Sequence, residues 1–229
     1  MISHLTRMRE GFCCVAGIDE ERGTHVRPVL VNEQLPVSVL ASRGGPFDIA
    51  VGLDIGGVTP LRRCPHIEDC VFELDAVREV SRPCGDDFWA LLASSARLGL
   101  EEAFGPALTR TANGVCSTAE GTGDASLACI RPTGVPVLSV RSRPGRSPQI
   151  RVLFRDNAGW CDASLTDIRL FQDDHVTPDL DKVNRLPQIM ERSEEVILCV
   201  GLTREYNGAH WVQVNNIHIR EYPLWRLGK

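Results

Sequence analysis

The chain has 229 residues and a formal net charge of −5, with 43% hydrophobic and 24% charged side chains. That length buries a sizeable core, as one large domain or two small ones, and the balance excludes a disordered or fibrous polypeptide. The acidic excess argues against a protein that coats nucleic acid through bulk charge.

Strand signals dominate in chain order. Short β-branched or alternating runs occupy 12–18, 25–31, 48–55, 69–75, 126–132, 135–141, 149–155, 195–202 and 210–219, punctuated by Gly, Pro, Asp and Asn. One helix interrupts them. Asp86 or Asp87 caps it, and Phe88, Leu91, Leu92, Ala96, Leu100, Ala103 and Phe104 recur at helical spacing until Gly105-Pro106 stops it. The following LTRTANGVCSTAEGTGDAS is rich in small polar residues and reads as a flexible connection. A second helix is expected from Thr177-Pro178 toward Glu194, bent or split at Pro187. The expected fold is mainly β: two OB-like small β-barrels with a helical insertion between them. The first module covers 1–84, the insertion and linker 85–125, and the second module 126–229, with its helical segment near 178–194.

The opening MISHLTRMRE lacks the apolar run of a secretory signal. No stretch approaches the ~18 apolar residues of a membrane span. A cytoplasmic protein is expected, and Cys13, Cys14, Cys129 and Cys199, inside apolar runs, fit reduced and buried thiols.

One short phrase is written twice. LTRMREGFCCV (5–15) and LTREYNGAHWV (202–212) share Leu-Thr-Arg, a Gly four residues later and a final Val. The phrase reads as a strand–turn–strand unit used once in each module, with Asn207-Gly208 supplying the positive φ angles of a hairpin. Val212 and Val214 share one face, whereas Ile217 and Ile219 fall out of that parity, so a bulge is expected at Asn215-Asn216. The Thr and Arg before each turn are candidates for local turn bonds and carboxylate pairing, or for ligand contact.

LTRMREGFCCVAGID…HVRPVL, PHIED at 65–69, TDIRLF at 166–171 and the C-terminal VGLTREYNGAHWVQVNNIH together resemble the bacterial dual OB-fold-containing proteins. That resemblance implies two OB-folds and nucleic-acid or nucleotide binding. It also implies a possible partner protein in a defence complex against phages and mobile elements. It assigns no catalytic residue.

The chemistry-bearing residues follow from charge. Between Asp124 and Asp156 there is no acidic residue, while Arg131, Arg141, Arg143, Arg146, Arg151 and Arg155 all occur. RSRPGRSP is expected on a strand-to-strand loop, where OB-folds bind single strands. Arg143, Arg146, Arg151 and Arg155 are the candidates for phosphate contact, and Tyr206, Trp211 and Gln213 for stacking or edge contact, with Trp160 nearby in sequence. Arg7 and Arg204 are turn-borne candidates.

Cys64, His66, Cys70 and Cys84 carry zinc-ligating chemistry, but C-x-H-x3-C is not a common finger or ribbon spacing, and no metal or cofactor is assigned. No nucleophile elbow, Walker A, zincin or dinucleotide motif occurs. The PDLDK run lacks the downstream lysine of a nuclease site, and Asp173-Asp174 suits a helix cap. The expected function is therefore non-catalytic nucleic-acid binding, single-stranded or structured. Two alternatives remain: a protein–protein adaptor, and a metal-dependent enzyme on nucleotides using His66, Glu68 and Asp69.

Overall fold

The computed structural model describes residues 1–9 and 11–227, with the side chains of Arg143 and Arg146 outside that description. The N-terminal half consists of β1 (Ile2–Arg7), β2 (Phe12–Ile18), β3 (His25–Val29), β4 (Leu35–Pro36), β5 (Gly52–Asp54), β6 (Thr59–Pro60), β7 (Asp69–Val71) and β8 (Arg78–Ser81). Its main sheet has the order β1-β2-β3-β7-β6, with β4 on β2, while β5 and β8 pair apart. The expected strand 48–55 shrinks to Gly52–Asp54. Asp48 accepts the Ile49 amide and Ala50 takes φ 56°, so the chain turns where alternation alone predicts extension.

After β8 come α1 (Gly85–Ser95), β9 (Ala96–Arg97), α2 (Leu100–Phe104), β10 (Thr109–Arg110) and β11 (Cys116–Ala119). Next are β12 (Leu127–Ile130), β13 (Val137–Arg143), β14 (Arg146–Arg155), β15 (Trp160–Leu165), α3 (Leu180–Glu191), β16 (Val196–Leu202) and β17 (Ala209–Ile219). The single helix expected over 86–105 is therefore broken. Ala96 and Arg97 leave it to pair in parallel with Cys129 and Ile130, and a Cβ at Gly99 would stand 2.0 Å from Asn157 Oδ1. The apolar period survives the break because each helix serves a different core. Phe88, Trp89 and Leu92 enter the N-terminal core, and Leu100 and Phe104 the C-terminal one. Full burial of each such side chain contributes about 1.5–3 kcal/mol.

The expected flexible connection is also ordered. β11 lies antiparallel to β17 with Ser117 opposite Trp211, and Cys116 and Thr118 point inward. Its small side chains alternate, which suits a strand packed closely on a neighbour. α3 starts where Asp179 caps the Lys182 amide and runs through Pro187 without ending.

The second main sheet has the order β13-β14-β15-β17-β16-β12-β9. Both halves repeat one pairing scheme: three antiparallel strands, a parallel step to the last strand (β3 to β7, β15 to β17), and an antiparallel return to the penultimate one. The chain is thus mainly β, as expected. The repeated phrase proves to occupy unlike places in this scheme. LTRMREG joins the first and second strands of one half, whereas LTREYNG joins the penultimate and last strands of the other. In both, the threonine bonds its own hairpin: Thr6 Oγ1 donates to Cys14 O, and Thr203 Oγ1 accepts the Trp211 amide.

The halves share a wall. On β12 and β16, Ala128, Ile130, Leu198 and Val200 face the C-terminal core, while Cys129, Ile197 and Cys199 face the N-terminal one. Burial on both faces explains why LACI and VILCVGL are continuously apolar. β17 carries the predicted bulge: Cys199 pairs with Asn216 and Val200 with Val214, so Asn215 is the extra residue. Before it Val212 and Val214 face the C-terminal core, and after it Ile217 and Ile219 do.

The same bulge turns Asn216 and His218 toward β1. Asn216 Oδ1 accepts the Leu5 amide at 2.7 Å, its Nδ2 donates to Leu5 O at 3.2 Å, and His218 Nε2 donates to Ser3 O at 2.9 Å. Asn216→Ala leaves both Leu5 backbone groups buried and unpaired, so a loss of about 2–4 kcal/mol in unfolding free energy is expected in a urea titration. A variant within about 0.5 kcal/mol of wild type would mean that another group takes over the edge of β1.

Candidate nucleic-acid interface

Two surfaces collect the chemistry. The first is the outward face of β13, β14 and β15. Ile150, Val152 and Phe154 point into the core, so Arg151, Leu153 and Arg155 point outward. Arg155 stands opposite Trp160 across the β14–β15 ladder, and the indole is 50% exposed. Neither side chain has a hydrogen-bond or ion-pair partner among the described residues. Val137 (56% exposed) and Leu153 lie opposite each other on the neighbouring ladder.

The expected basic loop is mostly strand. Arg143 and Arg146 face each other across a tight turn at Pro144-Gly145, where Gly145 takes φ 72°. Their side chains lie outside the described groups. Arg151 is held by Asp162 (Nε–Oδ1 3.0 Å) and Ser164 (Nη1–Oγ 2.7 Å), and Arg141 pairs with Asp162 at 2.8 Å. One carboxylate on β15, beyond the acid-free run, therefore engages two of the six arginines. Arg131 pairs with Glu195 at 2.9 Å.

The second surface is a cleft of ≈ 800 Å³ between the halves, walled by the β1–β2 hairpin, β3 and the β16–β17 hairpin. Arg7, Arg204 and Gln213, named from sequence, meet here, together with Arg9, Arg27 and Arg63. Among the described residues of its lining, five arginines face two carboxylates, Glu33 and Asp69. Asp69 binds Arg27 Nε at 2.5 Å in the interior and Arg204 Nη1 at 2.7 Å on the rim. Arg9 Nε donates to Gln34 Oε1 at 2.9 Å. Arg7 differs: its guanidinium lies 4.4 Å above the Phe171 ring, and its buried Nε has no hydrogen-bond partner. Burial pulls its pKa below the ordinary arginine value, the signature of a charge without a close counter-ion.

Tyr206 is 65% exposed at the tip of the C-terminal hairpin, and Trp211 is half-buried with its indole N–H donated to Tyr206 O at 3.0 Å. Gln213 donates to Asn215 Oδ1 at 2.9 Å and stands beside Ser164 of β15, which joins the cleft to the outer face.

The PHIED segment is consumed by structure. Arg27 Nη2 donates to His66 Nδ1 at 2.9 Å and to Ser126 Oγ at 3.2 Å. Glu68 accepts the Ser126 and Leu127 amides and the Ser126 hydroxyl, tying the N-terminal half to the start of β12. Cys64 and Cys84 are exposed, and Cys70 is buried with its thiol on Arg27 O. Among the described residues no three His, Cys, Asp or Glu side chains are arranged around a common metal position.

A family profile described as a dual OB-containing domain matches residues 4–217. The chain belongs to that family. No curated protein matches its sequence. For this dual OB chain no helix among the described residues is long and apolar enough to cross a membrane. Arg9, Arg27 and Arg63 escaped the sequence reading. Arg27, a charge inside the apolar strand HVRPV, was the strongest available signal, because a buried arginine requires partners.

Burial, with Arg27 and Arg204 beside it, pushes the His66 pKa from 6.5 down to about 3. The unfolded chain thus binds a proton that the folded chain refuses between those values. Stability is therefore lost as pH falls from about 6.5 toward 3. Denaturant titrations across that window are expected to give a shallower decline for His66→Gln than for wild type. An identical slope would mean that His66 takes up its proton in the folded state at an ordinary pH.

Proposed function

We propose that this protein binds nucleic acid without catalysing a reaction, as an accessory or recognition component, and that each half is an OB-type barrel. The pairing scheme common to the two halves supports the barrel reading. So does the way β13, at one end of the second sheet, and β12, second from the other end beside the two-residue β9, are joined by only the chain 131–136. The observation that carries the binding reading is the Arg155–Trp160 pair, an exposed guanidinium opposite an exposed indole with neither partnered. A π-face for stacking beside a cation for the phosphodiester is what a single strand requires, and stacking tolerates any base. Leu153 and Val137 extend the platform with apolar contact, and Arg143 and Arg146 flank its hairpin end.

Single strands suit this face better than duplex. The stacking contact rests on one exposed indole beside one guanidinium, and the net charge of −5 lacks the surplus of a duplex-coating protein. Arg151 acts as the strut that holds Asp162 and Ser164, and in this reading it orients β15 without touching the ligand.

Binding to labelled single- and double-stranded DNA and RNA of equal length, followed across a salt titration, tests the proposal. Trp160→Ala is expected to weaken single-strand binding by about 1–3 kcal/mol with little change in salt slope. Arg155→Ala is expected to reduce the slope by about one. Absence of binding at low salt, or wild-type affinity in both variants, overturns it.

A further inference from the structure

The cleft between the halves is built differently from the strand-binding face. Its lining contains no Trp, Tyr or Phe, so it offers no ladder on which consecutive bases stack. It offers converging guanidinium groups above an apolar floor that includes Val29, Leu30, Leu61 and Leu202. Its volume of ≈ 800 Å³ falls within the range of small-ligand sites.

Two observations point to an anion. Asp69 already holds two arginines, so its charge is shared between Arg27 and Arg204. Among the described residues Arg7 has no carboxylate within ion-pairing distance, and its buried Nε–H is unmatched. A half-buried cation without a counter-ion is unfavourable, and a bound anion relieves it. Asp174, the acid nearest in charge to Arg7, is committed to the Val176 and Thr177 amides and the Thr177 hydroxyl. Arginine on a phosphate gives forked, charge-assisted hydrogen bonds. A phosphomonoester carries close to two negative charges at neutral pH and answers several arginines better than the single charge of a phosphodiester. Among the described residues the carbonyl oxygen of Gln213 and the amide nitrogen of Gln34 have no partner on the same walls, and both are available to the edge of a base.

We propose that the cleft between Arg7, Arg63 and Arg204 binds a nucleotide through its terminal phosphomonoester, supplied either as a free nucleotide or as the 5′ end of a strand. The strand-end source rests on the nucleic-acid reading above; the free-nucleotide source does not.

Adenosine 5′-monophosphate is titrated calorimetrically into the full chain, with inorganic phosphate as a second titrant. In parallel, one single-stranded oligonucleotide is compared with and without its 5′-phosphate by fluorescence anisotropy. Wild type is expected to bind the monophosphate at least about tenfold more tightly than inorganic phosphate, or to prefer the 5′-phosphorylated strand by a similar factor. The first result identifies the free nucleotide as the source, the second the strand end. Arg7→Ala is expected to weaken the monophosphate and inorganic phosphate alike and to bring the 5′-phosphate preference close to one, and Arg7→Lys, which keeps the charge but not the fork, to restore part of each. Thermal melts of both variants establish that they fold, and if Arg7→Ala does not, the Arg7→Lys ratio decides. Trp160→Ala is expected to weaken both oligonucleotides while leaving their ratio intact. No preference in either format, or wild-type monophosphate affinity together with an intact 5′-phosphate preference in Arg7→Lys and Arg7→Ala alike, overturns the proposal. Equal binding of both oligonucleotides with no monophosphate uptake sinks the cleft while leaving the strand face standing. Monophosphate uptake without oligonucleotide binding does the reverse.

Discussion

β1 has β2 on one side and no strand on the other, and the open side is buried. Unpaired backbone at that depth costs about 1–3 kcal/mol per group, so the fold depends on finding partners for it. Ile2 finds Ala50 and Val51 within its own half, and the other partners come from the far end of the chain. Asn216 presents an amide that imitates a peptide unit to Leu5, His218 reaches Ser3 O, and Thr166 O receives the Arg7 amide. The bulge at Asn215 makes this possible, because it moves Asn216 and His218 onto the face that meets β1 while keeping Ile217 and Ile219 in their own core. A buried ion pair reinforces the junction. Asp167 and Arg169 pair at 2.6 Å, and between them they bind the Ile217 amide and carbonyl, fixing the strand just beyond the bulge.

The shared wall of β12 and β16 adds an apolar component to that polar seam. Cys129, Ile197, Cys199 and Ile168 belong to the N-terminal core although they lie in the C-terminal half of the sequence. The two halves therefore resemble one domain with two cores more than two beads on a string. Interfaces of this apolar kind resist the relative motion expected across small polar contacts. The cleft above the seam inherits that rigidity, since its walls are hairpins anchored to strands that cross it.

Much of this was legible in the sequence. Alternation located most strands, Asn207-Gly208 fixed a hairpin, and the parity change after Val214 betrayed the bulge to within one residue. Other features left no local trace. The break at Ala96–Gly99 was invisible because the apolar period runs straight across it, with the two helices feeding different cores. The segment 107–125 looked like a linker because Cys116 and Thr118 are small, and only the presence of β17 alongside makes them core. The six-arginine run seemed a free basic surface because Asp162, which engages Arg141 and Arg151, follows it on the next strand. The repeated Leu-Thr-Arg phrase marks two hairpins at unlike places in the pairing scheme, so likeness of local sequence there reflects turn chemistry and gives no evidence of duplication. Convergence of Arg7, Arg63 and Arg204 is a property of the folded chain alone.

The separation between Arg7 and Arg204 has a consequence for synthesis. Arg7 and Arg204 lie 197 residues apart (204 − 7), so the two walls of the cleft are made at well-separated times. At a translation rate of about 5–20 residues per second, roughly 10–40 s pass between the two arginines. Throughout that interval Ser3, Leu5 and Arg7 on the outer edge of β1 lack the partners they have in the folded chain. A chain cut short before β17 lacks Asn216 and His218 as well as Gln213, and it loses the seam and the pocket together. A ligand held in the cleft would thereby report that both of its walls, from β1 to β17, have been made and folded.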